Sequence, residues 1–188
     1  MSSNQNIIEP LVPEEVYTDR QEHIDYFYKA ALKAITRRTM STVLLGQRRM
    51  GKTEIFKRVV NALFNDQKPE NNDKVVIPVF YQFSDESLSK KDFAICYIEN
   101  FLRWITAFHL KQPERLTAPG NIDALITFIE NNIQITKGIY TAIDLLKAVI
   151  DEAAAVPEQR AIMLPKNVAF LDDITIAMFL DEFQNTRL

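Results

Sequence analysis

One segment constrains this chain more than any other. Gly46-Gln47-Arg48-Arg49-Met50-Gly51-Lys52-Thr53 fits GxxxxGK[ST] at every fixed position. It is preceded by the short apolar, β-branched run Ser41-Thr42-Val43-Leu44-Leu45, which predicts a strand buried on both faces. It is followed by Ile55, Phe56, Val59, Val60, Leu63 and Phe64 at helical spacing, up to a polar stretch with Pro69. Strand, loop and helix in that order form the setting in which successive main-chain N–H groups turn inward onto an anion. Glycine is needed because a Cβ would meet the phosphate oxygens, most strictly at Gly51. Lys52 brings a mobile ammonium for the β- and γ-phosphates, and the Thr53 hydroxyl is placed for Mg²⁺. The predicted binding set therefore runs through Gly46, Gln47, Arg48, Arg49, Met50, Gly51, Lys52, Thr53 and Glu54. The chain is glycine-poor, and two of its 4 glycines fall in this loop, which speaks against a chance turn.

The second informative feature is an apolar strand, Thr175 to Leu180, that ends in Asp181-Glu182. Adjacent carboxylates at the end of a buried strand need compensation, and a metal ion supplies it. Asp181 is the candidate Mg²⁺ ligand and Glu182 the candidate base for an attacking water, so Glu182 and Lys52 carry the predicted catalytic roles. Glu86, just after the second predicted strand (Val75 to Phe83), is the rival base. Gln184 reads as a surface residue or a further hydrogen-bond donor to the site. Asp172-Asp173 precedes its strand and reads as a turn, across which Val168 to Leu171 could pair.

Elsewhere Thr18-Asp19-Arg20-Gln21 fits a capping box ahead of a helix marked by Ile24, Phe27, Tyr28, Ala31 and Ile35. Residues 1–16 read as a lead-in, with Ile7, Ile8, Leu11 and Val12 as docking surface. Pro78 inside the second strand predicts an edge position or a bulge. Three helical patterns, about 90–111, 121–135 and 139–155, form a helical segment over about 90–156. His23 and His109 have no second ligand at metal spacing. Cys96, the only cysteine, lies on an apolar stripe and is predicted to be buried, and Trp104 is predicted core.

A net charge of −3 gives no global basic field for nucleic acid or an anionic membrane. No run of residues approaches a membrane span, and no basic segment leads into an apolar one at the start, which predicts a soluble cytoplasmic protein.

Together, Tyr17-Thr18-Asp19-Arg20, GQRRMGKT and FLDEFQ resemble the archaeal-type, STAND-like ATPases related to AAA+ proteins. The resemblance implies a three-layer αβα sandwich with a mainly parallel sheet across residues 17–188. It places Tyr17 and Arg20 near the adenine, Asp181 on Mg²⁺ and Glu182 on the attacking water. Gln47 stands where relatives often have proline. In that fold a further strand follows the acidic motif, whereas this sequence stops at Leu188. The expectation is thus an incomplete domain lacking downstream strands, the N-terminal part of a longer ATPase or a shortened gene product, its sheet gapped or re-paired.

Three functions stay open on these residues. The first is ATP binding with Mg²⁺ and hydrolysis that drives a conformational or assembly switch, with a protein partner or self-association through elements beyond Leu188. The second is an ATP-binding scaffold without turnover. The third is a nucleic-acid-associated ATPase using Arg37-Arg38 and Arg48-Arg49, which the acidic balance disfavours.

Overall fold

A computed structural model describes residues 6–13, 20–36, 51–69 and 75–185. Helix α1, Gln21–Lys33, buries Phe27 and Ala31 and runs into a 3₁₀ turn at Ala34–Thr36. Its start differs from the predicted capping box. Arg20 precedes the first turn at φ −134° and its side chain makes no cap. Thr18 and Asp19 lie outside the described residues.

Helix α2, Lys52–Asp66, buries Ile55, Val59, Val60, Leu63 and Phe64. Each such side chain contributes about 1.5–3 kcal/mol when fully removed from water. Phe56 continues the apolar face outward, edge-on to Phe27 of α1 and to Phe179. The predicted strand at 41–45 falls outside the described residues.

Strands β1, Val76–Gln82, and β2, Thr175–Asp181, pair in parallel from Val76 opposite Thr175 to Gln82 opposite Asp181. The register passes unbroken through Pro78 opposite Ala177, so no bulge forms. Because the strands finish together, the turn after β1 and the acidic end of β2 lie side by side.

Between the strands run α3, Lys90–Leu110; α4, Ile122–Asn132; α5, Lys137–Ile150; and α6, Pro157–Leu171. Ser89, Asn121 and Thr136 cap three of them, accepting from the N–H groups of Asp92, Ala124 and Ile139 at 3.0, 2.9 and 3.2 Å. Such caps are worth about 1 kcal/mol each. Helix α3 is the central element. It buries Phe101, Trp104 and Phe108 and packs against β1, α5 and α6.

Helix α6 corrects the sequence reading, in which the last helical pattern ends at about 155 and Val168 to Leu171 could pair across a turn. Pro157 instead occupies the start of the helix, where its missing N–H has no intrahelical role. Pro165 lies inside, at a cost of about 3 kcal/mol for an interior proline. Burial of Ala161, Leu164 and Val168 offsets it. Asp172 then ends α6, and its carboxylate accepts from the Thr136 hydroxyl and from the Gly138 N–H at 2.7 Å. A Cβ on Gly138 would fall 2.4 Å from Asp172 Oδ2, so this junction of α5 and α6 requires glycine.

The expected three-layer αβα sandwich is overturned. Among the described residues the sheet has two strands, β1 and β2, and six α-helices hold most of those residues. The reason is physical: the four helices between the strands include α3, α5 and α6, which bury their apolar faces largely against one another rather than forming layers over a wide sheet. Cys96 is a second correction, being exposed on α3. Among the described residues no helix is long and apolar enough to cross a membrane.

Candidate functional site

Gly51 stands immediately ahead of α2 in the left-handed region, at φ 73°, and its carbonyl accepts the Ile55 N–H at 3.1 Å. A Cβ here would lie 2.6 Å from Arg20 Nη1, the end of a flexible side chain that can shift, so it is the left-handed backbone that calls for glycine. The same measurement puts the Arg20 guanidinium beside the last glycine of the motif. Lys52 and Thr53 follow in the first turn, half-buried. The N–H groups of a first helical turn have no partners within the helix, and they carry the positive end of its dipole.

Across the molecule, β2 delivers Asp181 to this point. The Thr53 hydroxyl donates to Asp181 Oδ2 at 2.6 Å, joining residues 128 apart in sequence. Asp181 is 5% exposed, and its carbonyl accepts the Phe83 N–H at 3.0 Å, which ties the two strand ends together. Glu182 turns out of the strand at φ 55°, and its carboxylate accepts from the Gln184 side-chain amide. A 3₁₀ turn, Phe183–Asn185, follows. The Asn185 amide reaches back to Phe83 O at 3.4 Å and to the carboxylate of Asp85. Glu86, the rival base, is exposed, and its N–H donates to Ser84 Oγ at 3.0 Å.

Glu54 has a different environment from the one expected of a nucleotide contact. It is 2% exposed, and its carboxylate accepts from the Leu11 N–H and from Arg58 Nε, both at 2.6 Å. With the side chain so engaged, Glu54 offers a ligand only its main chain. Losing one partner of such a buried pair typically costs about 3–5 kcal/mol. Gly46, Gln47, Arg48, Arg49, Met50 and Tyr17, together with Arg37 and Arg38, lie outside the described residues. His23 and His109 are exposed, and His109 Nδ1 is 2.8 Å from Ile105 O.

The paired oxygens of Thr53 and Asp181 suit a hard cation. Mg²⁺ takes oxygen ligands at about 2.0–2.1 Å in an octahedron, whose adjacent ligands are about 2.9 Å apart. Thr53 and Asp181 are the residues that would hold such a cation. Among the described residues no cluster of three or more His, Cys, Asp or Glu side chains is assembled. Mg²⁺ at nucleotides is ordinarily held by one or two protein oxygens, with phosphate and water completing the shell.

Sequence reasoning missed the residues that hold the lead-in. Asn61 Oδ1 accepts the N–H groups of Ile7 and Ile8 at 3.0 and 2.9 Å, and Asn61 Nδ2 donates to Ile8 O at 2.9 Å. Lys57 Nζ donates to Glu9 O at 3.0 Å and Arg58 Nη2 to Val12 O at 2.9 Å. Polar residues on one face of an amphipathic helix carry no signal of what they hold. The only hint was Asn61, a poor helix former inside a strong helical pattern.

Comparison with protein-family models, curated proteins and solved structures finds no match to this chain.

Proposed function

We propose that this chain binds ATP with Mg²⁺ at the start of α2 and hydrolyses it, with turnover driving a conformational or assembly change. One observation carries the proposal: the hydroxyl of the phosphate-loop threonine and the carboxylate at the end of β2 meet at 2.6 Å. Motif and acidic strand end are remote in sequence, and a metal-dependent phosphate site is what gives their union a chemical purpose.

In this scheme the N–H groups at the start of α2 and the Lys52 ammonium take the β- and γ-phosphates. Thr53 and Asp181 supply the two protein oxygens for the cation. When bound, Mg²⁺ neutralises charge on the phosphate oxygens as the terminal group departs. Glu182, the next residue past the buried acid, orients the attacking water and accepts its proton. Most of the rate enhancement in such chemistry comes from positioning and fixed charge rather than from covalent steps.

The test is Thr53→Val, which keeps the shape and deletes the hydroxyl, alongside Asp181→Asn. Hydrolysis should fall by on the order of a hundredfold in each. ATP binding should lose most of its dependence on Mg²⁺. Unchanged Mg²⁺-dependent binding in both variants would refute the assignment.

A further inference from the structure

The geometry points to a strap coupled to the nucleotide site: residues 7–12 dock on α2 through their main chain, and this docking and triphosphate binding strengthen one another. The inference rests on the proposed ATP site and adds a regulatory element to it.

The strap has no helix or strand of its own. What holds it is a polar stripe on α2, Glu54, Arg58 and Asn61, spaced to lie along one side of the helix, with Lys57 beside it. Asn61 engages three main-chain groups of Ile7 and Ile8. Glu54 takes the N–H of Leu11, and Arg58 the carbonyl of Val12. The contacts at Leu11 ignore side-chain identity, since Leu11 is 62% exposed. Asn61, by contrast, is 8% exposed and Glu54 2%, so the helix has buried polar groups whose partners are the strap's backbone. A tail held only by apolar contact would not require them.

Glu54 makes the link to the site. It follows Thr53 in the first turn of α2. A carboxylate there opposes the arrival of a polyanion unless its charge is drawn elsewhere. The Leu11 N–H and Arg58 do that at 2.6 Å each. Detaching the strap strips one of these partners and releases the restraint along the first turns of the helix. Triphosphate binding should therefore be weaker without the strap, and by reciprocity bound triphosphate should hold the strap down.

Two variants of the full chain test this. Leu11→Pro deletes the strap's N–H donated to Glu54 at a position whose side chain contributes little to the core. Asn61→Ala removes the three bonds at the strap's other end. The measurements are calorimetric Kd for ATP in magnesium buffer and amide hydrogen exchange at Ile7 and Ile8. Each variant should weaken ATP binding by about fivefold or more, the usual lower range of coupling between sites. In the wild type, ATP should slow exchange at both amides. Faster exchange in Asn61→Ala with an unaltered Kd in both variants would overturn the coupling, as would wild-type exchange insensitive to bound ATP. If the wild type binds no ATP, the nucleotide site itself is wrong and the coupling falls with it, while slow exchange at Ile7 and Ile8 would still report a docked strap.

Discussion

The Thr53 hydroxyl donates a hydrogen bond to Asp181 at 2.6 Å, so the first turn of α2 and the last residue of β2 share one partly buried polar contact. Gly51 lies two residues before Thr53, and Glu182 one residue after Asp181.

Replacing Glu182 by Gln separates turnover from binding. The amide keeps the shape of the side chain but cannot take a proton. Steady-state phosphate release should fall by about 10²–10⁴-fold, the usual share of a general base, while ATP affinity stays within a factor of a few. If the wild type binds ATP without releasing phosphate, the chain is a nucleotide-dependent scaffold and Glu182 has no catalytic role.

Gly51→Ala should be damaging mainly through its backbone, with a smaller steric part because Arg20 Nη1 is the end of a flexible side chain. A left-handed backbone costs a residue with a Cβ about 1–2 kcal/mol, and the added methyl would meet Arg20 Nη1 at 2.6 Å. In chemical denaturation, Gly51→Ala with Arg20→Ala should recover the steric part and keep the backbone part. Strict additivity of the two substitutions would contradict the contact.

Alkaline stability should depend on Tyr28. Its hydroxyl donates to Asp66 Oδ2 at 2.9 Å. Burial, and then the hydrogen bond and charge of Asp66, push the phenol up from 10.0 to about 12. The folded state thus holds this proton where the unfolded chain releases it. The contribution is complete below pH 10 and is lost as pH rises from 10 towards 12. Tyr81, raised by burial to about 12, acts in the same direction. Unfolding free energy measured across this window should fall less steeply in Tyr28→Phe than in the wild type. Identical slopes would show that the phenol is not held by the fold.

Much of the site could be read from the order of residues, because local chemistry fixes it. A glycine that must take positive φ, a lysine and threonine opening an amphipathic helix, and two acids ending an apolar run all announce themselves. What stayed hidden depends on partners distant in sequence. Glu54 looked like part of the binding set, yet its carboxylate is held by Leu11 and Arg58. Cys96 sat on an apolar stripe by spacing alone and is exposed, since α3 buries Phe93 and Tyr97 on either side of it. Helix α6 was not foreseen, and it runs through Pro165 because the burial of Leu164 and Val168 overrides that local cost. The three-layer sandwich came with the family resemblance, which rests on short motifs and says nothing of whether the intervening helices cover a sheet or one another.

Equilibrium binding of ATP in magnesium buffer to the wild type and to Lys52→Ala tests the central claim most directly. The account predicts saturable binding to the wild type, stronger than that of GTP, and a loss of at least tenfold, about 1.4 kcal/mol, in Lys52→Ala. Folded wild-type protein that takes up neither nucleotide, or a Lys52→Ala variant that binds ATP as tightly as the wild type, would contradict it.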